Sequence, residues 1–277
     1  MPSRSKPEAV EERMRMTSVS VSDVGRKRKS NEDSYYASDE QALYVVADGM
    51  GGHAAGEVAS HTAVQTIEEF IKLTSTDQEI TWPFGLDETL SLSGNRLKTA
   101  IRYANRRLLD ATRERSDYEG MATTVVAVLG EGRRANIAHV GDSRVYLIRE
   151  GALTRLTSDH SWVNEQVLSG LIDLEQARTH PLRNVVTRAL GGKEDLQVDL
   201  QVLELVDGDL LLLCSDGLTS MISDEEILGI LQASGDDMQE ASRELIAAAN
   251  RSGGEDNITA VLIRCQKGPR GETDEAG

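Results

Sequence analysis

Three apolar runs in this chain end on an aspartate beside a glycine: Leu43-Tyr44-Val45-Val46-Ala47-Asp48-Gly49, Ile137-Ala138-His139-Val140-Gly141-Asp142 and Leu210-Leu211-Leu212-Leu213-Cys214-Ser215-Asp216-Gly217. A fourth aspartate, Asp256, follows Gly253-Gly254-Glu255 and opens the run Asn257-Ile258-Thr259-Ala260-Val261-Leu262-Ile263. Short apolar runs bounded by turn residues read as strands. Three strands would thus carry carboxylates to their own ends, and a turn would deliver the fourth to the start of another. Glycine beside an aspartate lets the backbone approach closely or take a positive φ. Four such carboxylates converging on one point would make an oxygen-rich site of the kind that hard divalent cations need. Taken singly, each is also ordinary turn chemistry.

The elements between these residues set how they could be positioned. Thr17 to Val21 alternates polar and apolar, as a half-buried strand does. From Ala55, small and apolar residues at 55, 58, 59, 62, 63, 66, 67, 70 and 71 keep helical spacing. Residues 75–93 are irregular, and a second helix follows with Leu97, Ile101, Ala104, Leu108 and Leu109 on one face. Thr123–Leu129 and Ala135–Val140 flank Gly130-Glu131-Gly132-Arg133-Arg134 and read as a hairpin, continued by Arg144–Ile148. Residues 160–180 suggest short helices. Leu196–Leu205 and Leu210–Cys214 read as strands, and Ser223 with Glu226 three residues on makes a capping box. A helix over Met238–Asn250 and a last strand over Asn257–Cys265 complete the pattern. Hairpins and paired helices without regular βαβ alternation favour largely antiparallel sheets with helices packed outside.

The 277 residues suffice for one large domain, and a hydrophobic share of 39% with 27% charged residues is that of a globular chain. A formal charge of −16 argues against nucleic acid or an anionic membrane as the main partner, and it repels phosphate esters unless local positive charge or metal intervenes. No apolar run approaches the ~20 residues that span a bilayer, and no apolar leader stands at the N-terminus. Cys214 and Cys265 sit in apolar runs without zinc spacing, which suits a reducing cytoplasm. Residues 1–15 and 266–277 read as polar tails around a domain spanning 16–265. His61, His139, His160 and His180 are dispersed and are expected to be structural or surface residues.

Six motifs occur in one order: Asp23-x-Gly25-x-x-Arg28-x-x-Asn31-Glu32-Asp33-Ser34, Val46-Ala47-Asp48-Gly49-Met50-Gly51-Gly52-His53, Met121-Ala122-Thr123-Thr124, Val140-Gly141-Asp142-Ser143-Arg144, Cys214-Ser215-Asp216-Gly217-Leu218 and Gly254-Glu255-Asp256-Asn257-Ile258-Thr259. In this the chain resembles the bacterial metal-dependent serine/threonine protein phosphatases of type 2C, from about Thr17 to Cys265. The resemblance implies an α+β fold, a four-layer αββα sandwich of two antiparallel sheets flanked by helices. It implies hydrolysis of phosphoserine and phosphothreonine in proteins by direct attack of a water or hydroxide bridging two Mn²⁺ or Mg²⁺ ions, with no covalent phosphoenzyme. Carried over by motif, Asp48 bridges both metals, the Gly49 carbonyl binds one, Asp216 and Asp256 hold the other, and Glu32 acts through water. Asp142 matches a position that with Asp216 can hold a third, weaker metal, and Arg28 matches the phosphate-binding arginine.

The chemistry suits these residue types. Phosphate-monoester hydrolysis is among the slowest uncatalysed reactions. Paired cations can lower the pKa of a shared water and shield the phosphate charge. The planar fork of an arginine can grip two phosphoryl oxygens. Eukaryotic members carry histidine directly after Asp-Gly as the donor to the leaving alkoxide; here Met50 follows Gly49, and His53 is the candidate general acid. Ala122 stands where glycine is usual before Thr-Thr. Residues 157–192 match the family's flap beside the active site, and 75–93 has no assignable role. The expected partners are phosphorylated proteins, serine/threonine kinases and their substrates among them, met in the cytoplasm by a monomeric enzyme.

Overall fold

The computed structural model describes residues 13–51, 55–76 and 82–268. Its strands are β1 (Met14–Asp23), β2 (Asp33–Ser38), β3 (Leu43–Met50), β4 (Ala122–Thr123), β5 (Val125–Glu131), β6 (Arg134–Val140), β7 (Arg144–Arg149), β8 (Ala152–Arg155), β9 (Asp199–Glu204), β10 (Leu210–Cys214) and β11 (Ile258–Lys267). Its helices are α1 (Ala55–Thr76), α2 (Leu92–Glu114), α3 (Trp162–Leu168), α4 (Leu174–Thr179), α5 (Asp216–Thr219), α6 (Asp224–Ser234) and α7 (Met238–Arg251). One sheet runs β1-β11-β10-β7-β8 and the other β2-β3-β5-β6-β9, with β4 added to β3, and every pairing is antiparallel.

The period-2 alternation of side chains along each central strand generates the layers. Along β3, Leu43, Val45 and Ala47 face a core shared with Ala59, Ala63 and Ile67 of α1 and Leu97, Ile101 and Ala104 of α2. Tyr44 and Val46 point the other way, into the space between the sheets, where they meet Val126, Val128, Leu211, Leu213, Val261 and Ile263. The opposite faces of β10 and β11 (Leu210, Leu212, Ala260 and Leu262) pack against Ile227 and Leu231 of α6 and Leu245 and Ala249 of α7. Three cores separated by two sheets make the αββα sandwich. Because both faces of β3, β5, β10 and β11 are covered, these strands read as continuous apolar runs and not as alternating ones.

Several strands depart from the sequence pattern: Leu196–Leu205 narrows to β9, β2 and β8 are additional strands, and two further differences have a clear cause. β1 extends beyond Thr17–Val21 on both sides, since its whole length pairs with β11 from Met14↔Lys267 to Asp23↔Ile258. The run Thr123–Leu129 divides into β4 and β5, because Thr124 leaves the ladder to hold Asp48. Its N–H donates to the Asp48 carbonyl at 2.9 Å, and its hydroxyl accepts the Asp48 N–H at 3.1 Å.

Candidate metal centre

One end of the sandwich collects the residues of interest. β3 finishes through Asp48 and Gly49, and Asp33, the first residue of β2, is the register partner of Asp48. On the second sheet Cys214 is paired on one side with Arg144 and on the other with Ala260. Asp216, Asp142 and Asp256 therefore leave their strands at a common level. Asp48 is pushed well above the usual carboxylate range, first by burial and then by the charges of Asp33, Asp216, Asp142 and Asp256. Burial, followed by the charges of Asp216 and Asp159, pushes Asp142 up to about 8. Asp216 is raised by burial and then by Asp256. Four carboxylates from both sheets thus load one point with negative charge.

That arrangement fits a hard divalent cation. Asp216 Oδ1 is buried and has no hydrogen-bond partner, a costly state for a carboxylate oxygen unless a cation meets it. Gly49 and Gly217 explain how the aspartates come so close. A Cβ on Gly49 would stand 2.1 Å from the Gly56 carbonyl oxygen and 2.6 Å from that of Glu32; one on Gly217 would stand 1.9 Å from the Asn257 carbonyl oxygen. Only glycine permits these crossings. The aspartates are nevertheless not gathered into a tight nest. Among the described residues, the group of three His, Cys, Asp or Glu side chains with ligand atoms all within 4.8 Å is His139, His160 and Asp199. Asp256 is paired with Arg28, whose Nη2 donates to its Oδ2 at 2.7 Å.

Arg28 is half exposed at the rim, and its hydrogen bond to Asp256 is the main reason its pKa is raised. Glu32 is half-buried, with its carboxylate against Gly56 at the start of α1, and burial raises its pKa. A helix N-terminus is a favourable place for an acidic side chain. His53, the candidate general acid, lies outside the described residues.

Several supporting residues inside the same motifs carry no chemistry of their own that sequence could flag. Asp33 Oδ2 accepts the hydroxyls of Ser215 at 2.7 Å and Thr259 at 2.6 Å, tying β2 of one sheet to β10 and β11 of the other. Burial pushes the Asp33 carboxyl up to about 7 against these two donors. Asn257 accepts the Glu32 N–H at 2.7 Å and donates to the carbonyls of Val24 and Ser30, both at 2.9 Å, so one amide fixes the loop that bears Arg28 and Glu32. Thr123 donates its hydroxyl to the Asp48 carbonyl at 2.8 Å, and the Thr124 hydroxyl meets that of Ser143, next to Asp142, at 2.7 Å. Their place in the six motifs was the available signal; their partners depend on the fold.

The protein phosphatase 2C family model matches residues 25–262. The serine/threonine phosphatase stp of Listeria welshimeri is 40% identical over 248 residues, covering 87% of this chain and 92% of that protein. Among solved structures, the Mycobacterium tuberculosis serine/threonine phosphatase PstP/Ppp superposes with a TM-score of 0.79 at 38% identity, over 91% of this chain and 99% of that one. The catalytic domain of PstP in complex with two manganese ions superposes with a TM-score of 0.78 at 37% identity, over 92% of this chain and all of the other.

Proposed function

The chain belongs to the protein phosphatase 2C family and is a metal-dependent protein serine/threonine phosphatase, and from that premise we propose how its own residues divide the work. Asp48, the Gly49 carbonyl, Asp216 and Asp256 would hold two divalent cations. Glu32 would act through water, and Asp142 with Asp216 would hold a third, weaker ion. Bound there, Mn²⁺ or Mg²⁺ supplies an activated water and screening of the phosphate charge. Carboxylate and carbonyl oxygens, without cysteine or histidine in the set, suit these ions better than zinc.

The remaining steps belong to side chains. Arg28 holds the phosphoryl group of the substrate; half exposed and resting on Asp256, its fork can exchange one set of carboxylate oxygens for phosphoryl oxygens. Asn257 keeps Arg28 and Glu32 in place through the backbone of their loop. Asp33 keeps the two halves of the aspartate set in register through Ser215 and Thr259. His53 is the candidate donor to the departing serine or threonine alkoxide. The substrates are phosphorylated proteins, and we assign serine/threonine kinases and their targets to that class. A catalytic domain over 16–265, acting as a monomer in the cytoplasm, completes the reading. Among the described residues no helix is long and apolar enough to cross a membrane.

The observation that carries this reading is the convergence of the Asp33, Asp142, Asp216 and Asp256 charges on Asp48. Asp48→Asn and Asp216→Asn should each abolish hydrolysis of a phosphothreonine peptide while far-ultraviolet circular dichroism stays that of the parent. Near-parental turnover in either variant would contradict the assignment.

A further inference from the structure

His139, His160 and Asp199 form a compact group beside the aspartates. His139 and Asp199 are register partners on β6 and β9, and His160 comes from the start of the 157–192 segment. The two imidazoles stack with centroids 4.6 Å apart and planes at 16°. The two histidines are far apart in the sequence and meet only in the fold, where both are buried.

The group is not a vacant cation site, since His160 and Asp199 are engaged with each other and with Arg188. His139 Nε2 donates to the Ser158 carbonyl at 2.9 Å. His160 Nδ1 accepts the Gly141 N–H at 3.0 Å, and its Nε2 lies 3.2 Å from Asp199 Oδ2. Arg188 Nη1 stands 2.6 Å from Asp199 Oδ1 and 3.1 Å from His160 Nε2, placing a permanent positive charge where an ion would have to sit. A backbone N–H can only donate, so Nδ1 must hold a lone pair and the proton of the neutral ring is on Nε2, facing the carboxylate. Burial, then His139 and Arg188, hold the pKa of His160 below its usual value, consistent with a neutral ring.

What this ring grips is the turn that carries Asp142. The Gly141 carbonyl accepts the main-chain N–H of His160 at 2.9 Å, so both backbone polar groups of Gly141 are held by one residue. Gly141 sits at a φ of 110°, and a Cβ there would strike Thr124 at 2.5 Å. Two residues beyond Asp142, the Arg144 guanidinium reaches both carboxylate oxygens of Asp159, with Nε at 3.0 and 3.2 Å and Nη2 at 2.7 Å. The Asp142–Ser143 pair is thus strapped on both sides to Asp159–His160. The far end of the segment closes on the same residue, as the Thr187 N–H donates to the His160 carbonyl at 2.8 Å.

We propose that His160, fixed as the Nε2–H tautomer by the Gly141 N–H on Nδ1 and the Asp199 carboxylate on Nε2, is a positioning residue that sets the Gly141–Asp142 turn and joins it to the 157–192 segment. The inference rests on reading Asp142 as a metal ligand. A proton on Nδ1 would set donor against donor at Gly141 and release the turn. Residues that orient ligands in this way typically contribute about 10–100-fold to metal affinity.

The test begins with metal-free protein. Nitrogen-15 NMR should find His160 with a bare Nδ1 and a protonated Nε2, and a slowly exchanging Gly141 amide. A proton on Nδ1, or a rapidly exchanging amide, overturns the proposal. Calorimetric titration with Mn²⁺ then separates the variants. His160→Phe removes the acceptor and should weaken the weakest Mn²⁺ site about tenfold. His160→Asn, which can place a carbonyl oxygen near the Nδ1 position, should stay near the parent. Asp199→Asn keeps the ring intact, but with Arg188 on its carbonyl oxygen it turns an NH₂ toward Nε2 and forces the proton to Nδ1, so it should match His160→Phe. Unchanged affinity in all three variants, or equal loss in all three, overturns the positioning role and leaves the metal centre standing. Parental protein that binds no Mn²⁺ overturns the metal-centre reading and this inference with it.

Discussion

At the scale of single residues, the site was legible where function and backbone needs coincide. Asp48, Asp216 and Asp256 announce themselves because each closes or opens an apolar run next to a glycine-containing turn, and the close approaches at Gly49 and Gly217 explain why glycine is required there. Asn257 and Asp33 were not legible, since an amide or carboxylate that braces a neighbour looks like any turn residue until its partners are known. Asn257 is buried and serves three backbone groups. Asn257→Ala would strand those groups, and leaving one buried polar group unpaired costs about 1–3 kcal/mol. We expect a loss of at least about 2 kcal/mol in urea denaturation; an unchanged midpoint would mean water replaces the amide without penalty. Arg28 is a half-exposed rim residue that we propose holds the phosphoryl group. Arg28→Ala should raise KM for a phosphopeptide more than it lowers kcat. A loss confined to kcat would place its role elsewhere.

At the scale of elements, strand ends deliver carboxylates and helix caps hold the frame around them. The capping box of α6 was readable because its chemistry is local: Ser223 Oγ accepts the Glu226 N–H at 3.2 Å, and Glu226 Oε2 accepts the Ser223 N–H at 2.9 Å. Ser223→Ala should cost about 1 kcal/mol, read as a fall of roughly 2–4 °C in the thermal midpoint for a domain of this size. An unaltered midpoint would show that packing of Ile227 and Leu231 alone sustains α6. The break between β4 and β5 was hidden for the opposite reason. Thr124 looks like a strand residue in sequence, and only the proximity of Asp48 draws it out of the ladder. The short helices α3 and α4 were expected as short helices, whereas the strapping of their segment to Gly141 and Arg144 depends on side chains far apart in the chain.

At the scale of the whole molecule, the sandwich turns two independent sheets into one site. β2 and β3 bring Glu32, Asp33 and Asp48 from one sheet, β10 and β11 bring Asp216 and Asp256 from the other, and Asp33 bonds across the join. Antiparallel sheets with helices outside followed from the hairpins and paired helices, the four-layer order came from the family resemblance, and the lateral strand order rests on pairings that no local pattern encodes. A chain of formal charge −16 with an acidic cluster at its active end needs cations before it can accept a phosphorylated partner. The most direct test is hydrolysis of a phosphothreonine peptide by chelator-stripped protein with Mn²⁺, Mg²⁺, Zn²⁺ or nothing added back. Expected are no turnover without metal, restoration by Mn²⁺ or Mg²⁺, and none with any ion in Asp216→Asn. Turnover by the stripped protein, or silence with every ion despite tight binding, would contradict the assignment.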